Sequence, residues 1–242
     1  MIPQIKLKLR KIPILVKALS KINTITNQAL DILWQTLHKG ADIKDTIVIS
    51  GTPRSGSTWV MEILDTLPDY RSILEPFNTA WYPQIRKLSP FLTGGRPYIY
   101  IEEDNTAIKE YLERVFKGLI ISRTTYPPRN IYKRLFAKRI LVKFIRANRL
   151  LPWIAKNFKL RAIYWIIRHP CATISSYINA FINPSTITEE WLKNSKYNII
   201  KDILNIPELR HNDKLRENLK TSESLEEILE AIWSIDTYIL LC

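Results

Sequence analysis

The chain has 242 residues, 46% hydrophobic and 10% aromatic, with a formal net charge of +13. This composition excludes a disordered or low-complexity chain and allows one α/β domain with a sizeable core, or one domain with appendages. Cys171 and Cys242 form neither a disulfide framework nor a metal pattern, and the scattered histidines His38, His169 and His211 offer no metal spacing.

The segment MIPQIKLKLRKIPILVKALSKI starts basic and turns apolar, as a signal peptide would, but Lys17 and Lys21 interrupt the run and no small-residue cleavage site follows. No run approaches the ~18 apolar residues of a spanning helix. Residues 1–41 are expected to be a basic, helical N-terminal extension, with a second apolar stripe at Leu30, Leu33, Trp34 and Leu37. Residues 1–22 have two possible placements. They lie on an anionic membrane surface, with Ile12, Leu15, Val16 and Leu19 buried and Pro13 in the first turn, or they pack on their own domain. Lys39-Gly40 is a helix stop.

DTIVIS (45–50) predicts a buried strand. In STWVMEILDTL (57–67), Trp59, Val60, Ile63, Leu64 and Leu67 recur at helical spacing, and Pro68 and Asp69 end the helix. Residues 69–104 hold Pro76, Pro83, Pro90, Gly94, Gly95 and Pro97, which predicts loop. A helix over 106–121, a break at Tyr126-Pro-Pro-Arg129, a strand at RILVKFI (139–145) and a short helix at LLPWIAKNF (150–158) follow. AIYWIIR (162–168) predicts a second central strand, Pro170 opens the helix that CATISSYINAFI (171–182) continues, and 188–204 and 224–241 are helical. Strands alternating with helices predict an α/β, P-loop-like three-layer fold, with a mostly parallel central sheet and helices on both faces, over 42–242. Right-handed crossovers bring the loops after Ser50 and Ile167 to one carboxyl edge of that sheet.

GTPRSGSTW (51–59) follows a strand and opens a helix, with Gly51 and Gly56 at P-loop spacing. Such a loop aims backbone N–H groups and a helix N-terminus at an anion. Gly56 lets the backbone approach closely, and Ser55, Ser57 and Thr58 add hydroxyls. Ser57 stands where a nucleotide triphosphatase has lysine, which argues against a Mg-linked triphosphate. The cation is Arg54, which can grip a phosphate-type anion in bidentate fashion. A second cation–hydroxyl pair, Arg168 with Ser175 and Ser176, occurs in RHPCATISSY (168–177), the serines about two turns into the helix.

Together the two motifs resemble the PAPS-dependent sulfotransferase family (PAPS, 3′-phosphoadenosine-5′-phosphosulfate). TPRSGSTW is similar to that family's 5′-phosphosulfate loop. IIRHPCATISSY is similar to its 3′-phosphate motif, an Arg-x-Pro with a serine eight positions after the arginine, here Ser176. The resemblance implies that Arg54, Ser55, Gly56, Ser57 and Thr58 hold the 5′-phosphosulfate and that Arg168 and Ser176 hold the 3′-phosphate. Trp59 either contacts adenine or packs between helix and sheet. Lys143 matches the lysine of the cytosolic Lys-x-His, whereas Ile145 replaces its histidine. SILEPFNTAW (72–81) resembles the Glu-Pro segment of carbohydrate-type and bacterial members, making Glu75 a candidate base, or else a surface glutamate before a turn proline. The expected reaction is sulfuryl transfer from PAPS, without a metal, to a small-molecule or carbohydrate hydroxyl or amine.

The family usually continues with a further strand and loop, so the chain is expected to be truncated at its C-terminus, with an unpaired sheet edge or exposed apolar surface. The alternatives are a truncated, non-catalytic protein binding anions or a membrane surface, and an ATP-using P-loop kinase. No nucleic-acid module is present in the sequence. The expected location is cytoplasmic, with peripheral membrane contact possible through residues 1–22.

Overall fold

The apolar runs at 47–51 and 139–144 become the two inner strands of a four-stranded sheet in the computed structural model, which describes residues 13–91, 96–124, 130–182 and 187–241. Residues 1–12, Gly94 and Gly95, the Tyr126–Arg129 break and Cys242 lie outside the described residues. The strands are β1 (Ile47–Gly51), β2 (Tyr70–Leu74), β3 (Arg139–Phe144) and β4 (Ala162–Ile166), in the order β2-β3-β1-β4. All three pairings are parallel, as the α/β reading requires.

Side chains alternate between the two faces of the sheet. Ile47, Ile49, Tyr70 and Leu141 meet Met61 of α2 (Ser57–Leu64) on one face. Val48, Ile73, Ile140, Val142 and Phe144 meet Trp34 of α1 (Pro13–His38) and Ile108, Leu112 and Phe116 of α3 (Thr106–Phe116) on the other. A short α4 (Ile131–Phe136) precedes β3, and α5 (Leu151–Asn157) precedes β4. The chain then forms α6 (Pro170–Phe181), α7 (Glu189–Asn205), α8 (Asp213–Thr221) and α9 (Leu225–Leu241). The last three close a separate cluster around Ile203, Leu219, Ile228 and Ile235.

Several expectations need correction. The supposed loop of 69–104 contains β2 and a 3-10 segment, Pro83–Phe91. The helix over 57–67 ends at Leu64, and that over 106–121 at Phe116. The first strand starts at Ile47, because Ile43–Asp45 is a 3-10 turn capped by the Asp42 side chain. β4 is an outer strand and not a central one. Its residues are half-buried or exposed, and its free edge has no strand partner among the described residues.

Helix α1 also departs from its apolar pattern. Asn27, Asp31 and Trp34 form its buried face, whereas Val16, Leu19, Leu33 and Leu37 are exposed. Burial here follows polar pairing: Asn27 Nδ2 donates to Thr124 O at 3.1 Å and Trp34 Nε1 to Ala137 O at 2.7 Å. Asp31 Oδ1 accepts from Arg134 at 2.5 Å and from Arg71, and its Oδ2 accepts from Ser122 N at 2.8 Å. Among the described residues, no helix is long and apolar enough to cross a membrane.

Candidate active site

Every strand of a parallel sheet ends on the same side, so the loops after β1, β2, β3 and β4 share one rim. The rim opens into a cavity of about 1150 Å³ that Arg54, Trp59, Glu75, Lys143 and Arg168 all line. A smaller hollow of about 470 Å³ joins Arg54, Arg168 and Ser176 to the outer face of α6.

The first wall is the loop after β1. Gly51 is tight: a Cβ there would come within 2.6 Å of both Ile166 O and Ser55 Oγ. The pairing of Gly51 with Ile166 thus draws the start of the loop against the end of β4. Ser55 N donates to Thr52 O at 3.1 Å, which curls the loop. Gly56, at φ 98°, caps α2 without a side chain and faces open space. Ser57 is buried, and the Ser55 hydroxyl is buried with no hydrogen-bond partner among the described residues. An uncapped helix start, an open glycine and an unspent buried hydroxyl together fit an anion. Thr58 and Trp59 are exposed, Trp59 at 67%, so Trp59 does not pack between helix and sheet.

The second wall is the turn from β4 into α6, where Pro170 occupies the first helical turn. Arg168 Nη1 donates to Arg54 O at 3.2 Å, and Arg54 Nε donates to Ser176 Oγ at 2.9 Å. Residues 114 to 122 positions apart therefore form one cluster. The Arg54 guanidinium turns toward α6, 5.8 Å from the centroid of the Phe181 ring, and its backbone takes the left-handed φ of 71°. A non-glycine residue held there carries local strain.

The third wall comes from β2 and β3. Leu74 pairs with Lys143, so Glu75, the next residue, lies beside the lysine. Lys143 Nζ meets Glu75 Oε1 at 2.9 Å, and Ile145 N donates to Oε2 at 2.9 Å. Glu75 is 5% exposed, with φ 49°, so it is not a surface glutamate, although a turn through Pro76 follows it, closed by Asn78 N donating to Glu75 O at 2.8 Å. Burial raises its pKa above the ordinary glutamate value, with Lys143, the Ile145 N–H and Arg146 pulling the other way.

Sequence reasoning missed a buried network under the rim. Ser50 Oγ donates to Asn148 Oδ1 at 2.7 Å, and Asn148 Nδ2 reaches Asp236 Oδ2 at 3.4 Å. Asp236, on α9, also accepts from Arg149 Nε at 2.7 Å and from Arg96. Arg71, Arg96, Lys133, Arg134 and Arg146 line the same large cavity and were missed too. No short motif marks them; their common signal is only the basic excess. Among the described residues, no group of three His, Cys, Asp or Glu side chains is placed to hold a metal ion.

In comparison with known families, residues 46–202 match the model described as the sulfotransferase family. The match spans the loop after β1, Glu75 and the turn from β4 into α6, and covers well over half of the chain. No curated protein matches the chain.

Proposed function

Because the chain belongs to the sulfotransferase family, we propose that it moves a sulfuryl group from PAPS to the hydroxyl or amine of a small-molecule or carbohydrate acceptor. The observation that carries the reading is the bonded cluster Arg168–Arg54–Ser176, opening onto the cavity that holds Glu75 and Lys143. A cation–hydroxyl pair at the end of β4 suits a 3′-phosphate, and the open start of α2 suits a 5′-phosphosulfate. Trp59 offers an exposed ring for adenine.

The donor supplies a sulfur that accepts the acceptor's nucleophile as its bond to the bridging phosphate oxygen breaks. Glu75 takes the proton from the acceptor oxygen or nitrogen, aided by its raised affinity for protons. On gaining that proton it loses its charge and its hold on Lys143. The ammonium and the Arg54 guanidinium then stabilise the electron pair left on the phosphate oxygen.

Two experiments test this. Adenosine 3′,5′-bisphosphate should raise the melting temperature of the protein well above the effect of ADP or AMP at equal concentration. Equal shifts from all three would remove the 3′-phosphate site. A transfer assay with labelled PAPS over a panel of sugars, alcohols and amines should give label on an acceptor.

A further inference from the structure

We propose that the outward face of α1 docks on an anionic lipid surface. At about 100° per residue, Leu19, Ile22, Ile25, Ile32, Leu33 and Leu37 fall within an arc of about 140°. Each is between 46% and 57% exposed. Asn27, Asp31 and Trp34, at 0%, 2% and 0% exposed, occupy the opposite side and tie the helix to Thr124, Arg71, Arg134 and Ala137. The helix is thus fixed to the protein by polar pairing and presents its aliphatic side chains outward. A water-facing helix side shows the reverse pattern, and a contiguous apolar patch marks an interface.

Charge selects the occupant. Asp31 is the only acid of α1, and it is buried. Lys17 and Lys21 are exposed on the helix, and Lys39 follows it. The sequence before the helix adds Lys6, Lys8, Arg10 and Lys11, and no acidic residue precedes Asp31. A second copy laid on this face would bring cation against cation. A leaflet containing phosphatidylserine brings opposite charge to the lysines and apolar depth to the leucines and isoleucines. The helix lies along such a surface and does not cross it, since its 26 residues are not apolar enough to form a span.

Flotation of the full chain with vesicles decides the matter. The protein should float with phosphatidylcholine–phosphatidylserine vesicles, remain below with phosphatidylcholine alone, and lose binding as salt rises. The Ile22→Gln, Ile25→Gln, Leu33→Gln triple variant should lose flotation tenfold or more while keeping the parent melting temperature, since all three side chains are exposed. Lys17→Glu with Lys21→Glu should weaken binding to the anionic vesicles. Absence of flotation in every mixture would overturn the proposal, as would equal binding to neutral vesicles. So would a concentration-dependent dimer, seen by light scattering, that the triple variant abolishes.

Discussion

Glu75 occupies an unfavourable position for a carboxylate, buried and with a left-handed backbone, and it is held there by Lys143 and the Ile145 N–H. Its replacement by Gln keeps the shape but removes the proton acceptor. Glu75→Gln should therefore lower kcat by about a hundred-fold or more, with the melting shift from adenosine 3′,5′-bisphosphate nearly intact. Turnover at the parent level would exclude Glu75 as the base. The raised pKa also fixes the sign of two pH effects. The acid limb of kcat should lie above the ordinary glutamate range. The fold favours the protonated form, so this group's contribution to stability is present at low pH and lost as pH rises through the folded-state pKa. Removing the cations of the two loops is a separate matter. Arg168→Ala or Arg54→Ala should weaken adenosine 3′,5′-bisphosphate binding by about tenfold to a hundredfold, measured by calorimetry, as expected for a charged hydrogen bond of about 1.5–3 kcal/mol. At this scale Arg54, Arg168 and Ser176 were legible because local spacing carries them. The Glu75–Lys143 pairing was not, because it depends on the β2–β3 register, and β2 had not been recognised.

At the scale of elements, the two ends of the described chain act as straps. Helix α1 sends Asp31 to Arg71 and Arg134, and α9 sends Asp236 to Arg96 and Arg149. Removing one partner of a buried ion pair costs about 3–5 kcal/mol. Asp236→Ala should destabilise by that order in urea titration and loosen the loop after β3, whereas Glu230→Ala on the same helix should change little. Equal effects of the two would deny Asp236 its role. Such pairs leave no local trace in a sequence, since the partners of Asp236 lie 87 and 140 positions away. The strands were legible in proportion to their burial. β1 and β3, the inner strands, carry the apolar stretches 47–49 and 140–142. YRSIL, short and with the adjacent polar residues Arg71 and Ser72 among prolines, reads as loop, yet it pairs along its whole length with β3. AIYWI reads as central because its residues are apolar, but position in a sheet depends on neighbours and not on hydropathy.

At the scale of the whole molecule, part of the basic excess lies where an anion is expected. Six arginines and two lysines line the large cavity, against Glu62, Asp65 and Glu75. A low-dielectric cleft focuses such a field and raises the rate of anion capture. Nucleotide association should therefore slow steeply as ionic strength rises toward about 1 M, where the screening length is ~3 Å. Dissociation should change far less, and stopped-flow binding at several salt concentrations would separate the two. Net charge was readable from composition, but its placement was not. It arises from β2, α4, the turn after β3 and the chain before α3, which only the fold brings together.

The buried carboxylate of Asp236 has a consequence for the nascent polypeptide. Synthesis runs from the N-terminus, so Asn148 and the guanidinium groups of Arg96 and Arg149 leave the ribosome before the acid that holds them exists. Until α9 emerges, the floor of the rim stays unlocked, and a chain stalled before residue 236 should lack the ion pairs that hold Arg96 and Arg149 in place.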